Sequence, residues 1–248
     1  GSNKKYKTDI GPVPGKVKFC KFNDVSHLKK LVNKKTIAII IEFIQGDGGI
    51  NICSKTFAKA IKDICKNKKI LLIGDEIQGG IGRTGKIFAY KHYGVNPDII
   101  TSAKGLGSGI PIGATIVKKY ISKIISTGFH GSTFGGGMLQ TRVSYNVLKS
   151  INTKAFLNKI LINGKYLSKL LKKMHNDHKD KIVDTRCLGL MAGIEFKTNE
   201  IASKTYSKMS KNGLITTLIQ GNIIRITPPL IINKKELKNG LDIILKSL

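Results

Sequence analysis

The sequence predicts an α/β protein whose first domain is built on a mainly parallel sheet and whose second, smaller domain is of the α+β type. Two patterns support this prediction. From residue 36 onward, short β-branched runs alternate with helical stretches, which is typical of a parallel sheet flanked by helices. After residue 137, Lys-rich helical stretches and short strands replace that alternation. We place the boundary near residues 150–154, which gives domains of residues 1–152 and 153–248.

Four apolar runs predict the strands of the first domain. The run at residues 36–42 is so continuously apolar that we expect its strand to be buried on both faces. A Gly-rich turn then leads to Ser54, the predicted N-cap of a helix that continues to about residue 66. The other three strands are predicted at residues 70–75, 98–103 and 112–117.

The elements of the second domain follow a helix predicted at residues 138–151. An apolar stripe along a Lys-rich segment predicts a long helix over residues 154–175. The remaining elements are strands at residues 182–184, 190–196 and 222–226 and helices at residues 201–211 and 235–248.

The strong positive charge does not by itself indicate a nucleic-acid partner. The chain has 248 residues and a net charge of +28, from 43 Lys and Arg against 15 Asp and Glu. Clustered cations bind phosphates, but 39 of these residues are Lys, dispersed among many Ile and Asn. Because these three residue types share A/T-rich codons, genomic base composition explains the charge at least as well as binding does. Arg, which is favoured for phosphate and base recognition, is scarce, so we expect no nucleic-acid partner.

Cysteine spacing and hydropathy indicate a soluble, cytoplasmic protein. The four cysteines contain no Cys-x-x-Cys motif, so the sequence indicates neither a metal site nor a disulfide framework. No apolar run is long enough to span a bilayer, and residues 1–7 lack the apolar core of a signal peptide. We therefore expect no membrane partner.

Polar side chains follow the predicted strands at the edge where a ligand site is expected. Ligands of open α/β sheets bind beyond the carboxyl ends of the strands, where Glu42, Asp75 and Lys104 fall. Asp75 and Glu76 end a wholly apolar strand, and a carboxylate there is costly unless it has a partner. A helix N-cap or an ion pair with Arg83 would explain them without catalysis. Adjacent strand residues point to opposite faces, so these carboxylates do not act on one atom as in glycosidases or metal sites.

Lys104 differs from the other lysines by its position between a buried strand and a Gly-rich turn. Desolvation there favours the neutral amine that a Schiff-base lysine requires; a solvated surface charge is the alternative. The run Gly105-x-Gly107-x-Gly109 does not match the spacing of the dinucleotide-binding fingerprint. Residues 130–137, rich in Gly and hydroxyls just before a helix, suit a phosphate group or form an ordinary turn.

Five motifs occur in order along the chain. They are Glu42-x-Ile-Gln-Gly-x-Gly-Gly49, Asp75-Glu-Ile-Gln78 with Gly82-Arg-Thr-Gly85, Ser102-Ala-Lys-x-Leu-Gly-x-Gly-x-Pro-Ile-Gly-Ala114, His130-Gly-Ser-Thr-Phe-Gly-Gly136 and Asn222-Ile-Ile-Arg-x-x-Pro-Pro-Leu230. In order and spacing they resemble the class III pyridoxal-phosphate-dependent aminotransferases, and the lysine motif is most similar to the acetylornithine aminotransferase branch. The resemblance implies the aspartate-aminotransferase-like fold of type I, here with a partial large domain and a small carboxyl-terminal domain.

The resemblance also implies the cofactor, pyridoxal 5′-phosphate, and the residues that hold it. Lys104 would form a Schiff base with the cofactor and carry a proton between substrate and cofactor. Asp75 would pair with the pyridine nitrogen and keep it protonated, so that the ring accepts electrons. Gln78 would lie near the phenolic oxygen of the ring, and Ile77 would pack against the ring face.

Further residues of the motifs are implied in phosphate and substrate binding. Ser132 and Thr133 would reach the cofactor phosphate of the neighbouring subunit, which implies a homodimer with shared active sites. Glu42 and Arg225 would form a gate that opens when Arg225 binds the carboxylate of 2-oxoglutarate or glutamate. The implied reaction transfers the terminal amino group of N-acetylornithine to 2-oxoglutarate, as in arginine biosynthesis. Ornithine and 4-aminobutyrate are alternative amino donors within the family.

The chain is short for this family. Family members carry a segment before the position of Gly1 that holds a Gly-rich phosphate cup, an aromatic residue that stacks on the ring and an arginine for the substrate α-carboxylate. None of these is found here, so we expect the carboxyl-terminal part of a subunit, either a fragment or half of a split protein, that is incomplete as an enzyme by itself. A non-catalytic assembly partner is the alternative. Departures from the family pattern at Phe43, Gly79 and Gly137-Met138 remove no matched chemical group.

Overall fold

The computed structural model describes residues 17–248, and its first sheet is mainly parallel, as predicted. The strands are β1 (Ala38–Ile41), β2 (Leu71–Asp75), β3 (Ile99–Ser102) and β4 (Ala114–Val117), in the order β1-β2-β3-β4. β1, β2 and β3 are parallel to one another, whereas β4 runs antiparallel to β3. A parallel crossover needs about a dozen residues or more, usually with a helix, and the link between β3 and β4 holds only a short 3₁₀ turn. The expectation about a signal peptide concerns residues 1–7, which lie outside the described residues.

Two helices, α1 (Val25–Leu31) and α2 (Lys55–Lys68), accompany the first sheet. The Ser54 hydroxyl accepts a hydrogen bond from the Phe57 backbone N–H at 3.1 Å, which confirms the predicted N-cap of α2. Lys69, with φ at 52°, ends this helix in the left-handed conformation. α2 packs against β1 and β2. Helix α1, which precedes β1, was not predicted, because its seven residues give too short a pattern to detect.

One face of β1 is exposed, which contradicts the prediction that this strand is buried on both faces. Ile37 just before the strand is 82% exposed and Ile40 is 63% exposed, whereas Ile41 is buried. β1 is an edge strand, and the exposure shows that no element within residues 17–248 covers this face. Continuous apolarity therefore does not distinguish a covered face from one left open in this part of the chain.

The second sheet is antiparallel throughout and carries three long helices. After α3 (Lys119–Ser122) and α4 (Met138–Ile151), the order along the chain is α5 (Lys154–Asp177), β5 (Ile182–Leu188), β6 (Met191–Phe196), α6 (Asn199–Lys211), β7 (Thr217–Ile219), β8 (Ile223–Ile226) and α7 (Lys234–Ser247). The strand order is β5-β6-β8-β7. β5 extends to Leu188 rather than residue 184, and the three-residue β7 was not predicted.

The two sheets pack against each other. One buried cluster, centred on α5, β6 and α7, fills the second sheet's own core with residues such as Leu167, Ile194 and Phe196. Met191, Ile219 and Ile223 of the second sheet instead belong to the core of the first. None of the helices formed by residues 17–248 is long and apolar enough to cross a membrane.

The buried carboxylate of Glu76 fixes the turn that follows β2. Its side chain is fully buried, and its two oxygens accept hydrogen bonds from the backbone N–H groups of Ala89 at 2.7 Å and Tyr90 at 2.8 Å. These N–H groups belong to the first residues of the 3₁₀ turn Ala89–His92, whose N-cap residue is Phe88. Glu76 therefore binds a turn that lies further along the chain, and the prediction that the acidic pair forms a helix N-cap is wrong. Burial raises the pKa of Glu76 to about 7, and the two hydrogen bonds limit that rise.

The alternative prediction that this acidic pair binds Arg83 is wrong. The Arg83 guanidinium instead donates to the carbonyl oxygens of Leu190 at 3.0 Å and Pro228 at 2.6 Å. Both charges of this turn are therefore held by backbone groups rather than by each other, because the turn directs their side chains to different neighbours.

We predict opposite effects of alanine at two helical glycines. In α5, a Cβ on Gly164 would lie 2.5 Å from the Gly189 carbonyl oxygen, so G164A should destabilise the fold by about 1–3 kcal/mol. In α7, a Cβ on Gly240 would make only an ordinary contact with Leu214 at 3.6 Å, so G240A should stabilise the helix by up to about 1 kcal/mol. Urea unfolding of both variants measures this; a G164A protein as stable as G240A would contradict the close packing of α5 on the β5–β6 turn.

We also predict that Glu76 makes the fold less stable as the pH rises. Its folded-state pKa of about 7 exceeds its ordinary value of 4.5, so the favourable contribution is complete below pH 4.5 and is lost by about pH 7. The loss should amount to about 3 kcal/mol and should disappear in E76Q. Urea unfolding between pH 4.5 and 7.5 tests this, with the exposed E200Q as the control that keeps the wild-type slope. Parallel pH profiles for wild type and E76Q would refute it.

Candidate active site

The carboxyl ends of the three parallel strands bring four charged side chains together. Glu42 directly follows β1, Asp75 is the last residue of β2, and Lys104 follows β3 by two residues. Burial raises the pKa of Glu42; the Gly46 N–H lowers it, the Asp75 and Asp47 carboxylates raise it further and the Lys104 ammonium lowers it. All four groups therefore lie within electrostatic range at one edge of the sheet.

Asp75 presents one carboxylate oxygen that the surrounding chain leaves free. Its Oδ1 accepts hydrogen bonds from the Ile77 backbone N–H at 3.1 Å and from the Thr101 hydroxyl at 3.3 Å. Thr101 is the register partner of Asp75 on β3, which places both side chains on the same face. No hydrogen bond from the residues that the structure describes reaches Oδ2. This oxygen is thus available to a cationic donor such as a protonated ring nitrogen.

Lys104 lies at a strained position next to this carboxylate-lined edge. It has φ at 48°, in the left-handed region that non-glycine residues rarely adopt, and it begins the 3₁₀ turn Lys104–Leu106. Strained residues of this kind cluster at functional sites. Its side chain is exposed, however, so the expectation that neighbouring backbone desolvates the amine is wrong for the described residues. Helix α4 contacts this turn from the side.

Arg225 pairs with Asp47 rather than with Glu42, the gate partner that the family resemblance implies. The Arg225 Nη1 donates to Asp47 Oδ1 at 2.6 Å and to Gln78 Oε1 at 3.1 Å. Glu42 instead accepts a hydrogen bond from the Gly46 N–H at 3.1 Å. The predicted pair is not formed because the Gly-rich turn after β1 brings Asp47, five residues after Glu42, to Arg225 on β8.

Two details concern the donors of Arg225 and the way in which Gln78 reaches it. The Arg225 Nε is buried and has no hydrogen-bond partner among residues 17–248, so the guanidinium retains an unused donor. A Cβ at Gly46 would overlap the Gln78 amide, so only glycine permits Gln78 to reach Arg225 here.

The sequence did not identify Asp47 as a site residue, because it pairs with a residue 178 positions away. Its place inside a glycine turn at the end of a strand was the signal that could have identified it.

The predicted phosphate-binding residues are not joined to this cluster by any contact that the structure describes. Ser132 and Thr133 are exposed and their hydroxyls form no hydrogen bond with residues 17–248. Their neighbours Phe129 and Phe134 are 74% and 86% exposed. Ile77 is half-buried beside Asp75, to which its backbone N–H donates. Within residues 17–248 no group of three or more metal-binding side chains occurs.

Comparisons with known proteins identify the family. The model of the class-III aminotransferases matches residues 1–248. The chain is 40% identical over 241 residues to the acetylornithine aminotransferase of Methanocaldococcus jannaschii, covering 96% of this chain and 60% of that protein. The acetylornithine aminotransferase of Elizabethkingia anophelis has a TM-score of 0.85 at 32% identity, over 91% of this chain and 58% of that one.

A second solved structure concerns the cofactor. An ornithine aminotransferase of Toxoplasma gondii, described with partial occupancy of PLP at its active site, has a TM-score of 0.91 at 28% identity, over 99% of this chain and 58% of that one. The chain thus spans about 60% of the length of the proteins it matches. The cofactor of the family is pyridoxal phosphate. Asp75, whose Oδ2 accepts no hydrogen bond from residues 17–248, and Lys104, which follows the neighbouring strand, fit the ring nitrogen and the aldehyde of this group. The chain belongs to the class-III aminotransferase family.

Proposed function

We propose that the protein containing this chain is a pyridoxal-phosphate-dependent aminotransferase that moves the terminal amino group of N-acetylornithine to 2-oxoglutarate. The observation that carries this proposal is the placement of Asp75 and Lys104 at the carboxyl ends of neighbouring strands, where Asp75 Oδ2 accepts no hydrogen bond from residues 17–248. The acetylornithine aminotransferase of Methanocaldococcus jannaschii supports the choice of donor.

Asp75 and Lys104 would divide the work of cofactor binding and proton transfer. Pyridoxal phosphate, when bound, supplies an electron-accepting ring that stabilises negative charge on the substrate carbon. Asp75 Oδ2 would hold the proton on the ring nitrogen, while Thr101 and the Ile77 N–H fix the other oxygen. Lys104 would bind the cofactor's aldehyde carbon and, once released, would remove the proton from the substrate carbon that bears the amino group. Gln78 and Ile77 remain our candidates for contacts with the ring.

Arg225 would bind the second carboxylate of 2-oxoglutarate or glutamate. Its unused Nε donor and its position beside Gln78 support this role, and a guanidinium binds a carboxylate through two parallel hydrogen bonds. Asp47 would occupy Arg225 whenever the substrate lacks that carboxylate. Glu42 lies near the same cluster and stays a candidate for the substrate side of the gate.

Ser132 and Thr133 would act in a second subunit of a homodimer. Their hydroxyls are exposed and unused within residues 17–248, and the adjacent apolar side chains of Phe129, Phe134 and Met138 are exposed as well. A protein rarely exposes so many large apolar residues in one segment unless they form an interface. A partner copy covering this segment would place both hydroxyls at its cofactor phosphate.

Ornithine is the second candidate donor, favoured by the similarity to the ornithine aminotransferase of Toxoplasma gondii. The 4-aminobutyrate reaction, a non-catalytic assembly role and a cytoplasmic location remain predictions from the sequence. Steady-state rates with N-acetylornithine, ornithine and 4-aminobutyrate, each with 2-oxoglutarate, rank the donors directly.

We predict that Lys104 carries the cofactor. Borohydride reduction of the cofactor-loaded full-length protein should fix a pyridoxyl group on the peptide containing Lys104, and K104A should lose transamination by at least about a thousandfold because its proton-transfer group is gone. Peptide mass spectrometry locates the label. K118A, which removes a lysine paired with Asp98 outside the cluster, should keep both label and activity. A label on another lysine would refute the assignment.

We also predict a selective effect of Asp47. D47N removes the counter-ion of Arg225, so the guanidinium should attract dicarboxylates more strongly and accommodate N-acetylornithine less well. The KM for N-acetylornithine should rise several-fold while the KM for 2-oxoglutarate stays equal or falls, and D47E should restore the wild-type ratio. Equal changes in both constants, or no change, would show that Asp47 is only a surface partner.

A further inference from the structure

We propose that Arg83 is a positioning residue that fixes Arg225, the candidate carboxylate-binding residue, relative to the cofactor-binding turn after β2. This inference rests on the proposed function, since it assigns Arg83 a role in the binding of the dicarboxylate substrate. Arg83 acts through backbone contacts and does not itself touch the substrate.

Three hydrogen bonds join Arg83 to two segments of the second sheet. Its Nη1 donates to the carbonyl oxygens of Leu190 at 3.0 Å and of Pro228 at 2.6 Å. Its own carbonyl oxygen accepts from the Leu190 N–H at 3.0 Å. The residue thus ties the turn after β2 both to the β5–β6 connection and to the segment that follows β8.

The Pro228 contact matters because this segment cannot continue the sheet ladder beyond β8. β8 ends at Ile226, and two of the next three residues, Pro228 and Pro229, lack the backbone N–H needed to continue a sheet ladder. Arg225 lies on β8 three residues before Pro228. The guanidinium of Arg83 therefore anchors the chain at the point where the strand carrying Arg225 leaves the sheet.

A second hydrogen bond, between Gln78 and Arg225, joins the turn after β2 to β8. Gln78, five residues before Arg83 in the turn, accepts a hydrogen bond from Arg225 at 3.1 Å. Asp75 ends the strand from which this turn begins. With ties at Gln78 and at Arg83, the turn sets the separation between Arg225 and the Asp75 carboxylate.

The chemistry of this anchor requires arginine. Burial lowers the pKa of Arg83 to about 10, which leaves the side chain charged at neutral pH. Within residues 17–248 no carboxylate forms an ion pair with it, so the two carbonyl dipoles stabilise the buried charge. A planar guanidinium holds two carbonyls in fixed directions, whereas an ammonium on a flexible stem does not.

The surrounding packing makes the test practicable. Gly82 and Gly85 lie against side chains of α4 and α5, and the Gly189 backbone lies against that of Thr84. These contacts do not involve the guanidinium, so the turn should persist when Arg83 is replaced by lysine, which keeps the charge and most of the stem.

The experiment compares R83K and R83M with wild type and with R142K, which changes an exposed arginine on α4. The full-length, cofactor-loaded proteins are titrated with glutarate, an unreactive dicarboxylate, by calorimetry, and their KM values for both substrates are measured. In R83K and R83M the glutarate Kd and the KM for 2-oxoglutarate should rise by about tenfold or more, equivalent to about 1.4 kcal/mol. The KM for the amino donor and the absorbance of the bound cofactor should change less than about twofold, and R142K should match wild type.

Other outcomes would overturn the proposal. Unchanged glutarate binding in R83K and R83M, or equal losses for cofactor, donor and glutarate, would assign Arg83 to general stability. Loss of folding in both variants, seen by circular dichroism, would do the same. A wild-type protein that binds no cofactor and transfers no amino group would instead refute the proposed function, which distinguishes the two failures.

Discussion

The parallel pairing of β1, β2 and β3 is the constraint on which the candidate site depends. Parallel strands end at the same edge of a sheet, so residues far apart in sequence meet there without any direct interaction between them. Glu42, Asp75 and Lys104 are brought together in this way. The antiparallel β4 starts at the edge where β3 ends, so the connection between them, which contains Lys104, also lies at this edge.

The charges near this edge are stabilised by backbone groups more than by one another. Glu76 is held by two N–H groups and Arg83 by two carbonyl groups, which fixes the turn between them from both ends. In contrast, Asp75 has one oxygen and Arg225 has one donor without a hydrogen-bond partner among residues 17–248. We regard this separation between structural and available charges as the feature that gives the site its chemistry.

The sequence predicted the elements that local physics determines. Continuous apolar runs located the first-sheet strands, and the Ser54 hydroxyl located the start of α2, because each signal lies within a few residues. It did not predict the partner of Arg225, since Asp47 and Glu42 are both carboxylates after the same strand and only the path of the glycine turn selects between them. The exposure of Ile40 and Lys104 was also missed, because burial depends on what packs against an element and a linear pattern contains no such information.

The central claim is that Asp75 and Lys104 hold opposite ends of one cofactor. A crystal structure of the cofactor-loaded full-length protein tests it most directly. The account predicts a covalent connection between the Lys104 Nζ and the cofactor, with the ring nitrogen within hydrogen-bonding distance of Asp75 Oδ2 and Thr101 still bound to Oδ1. A cofactor joined to another lysine, or a ring nitrogen directed away from Asp75, would contradict it.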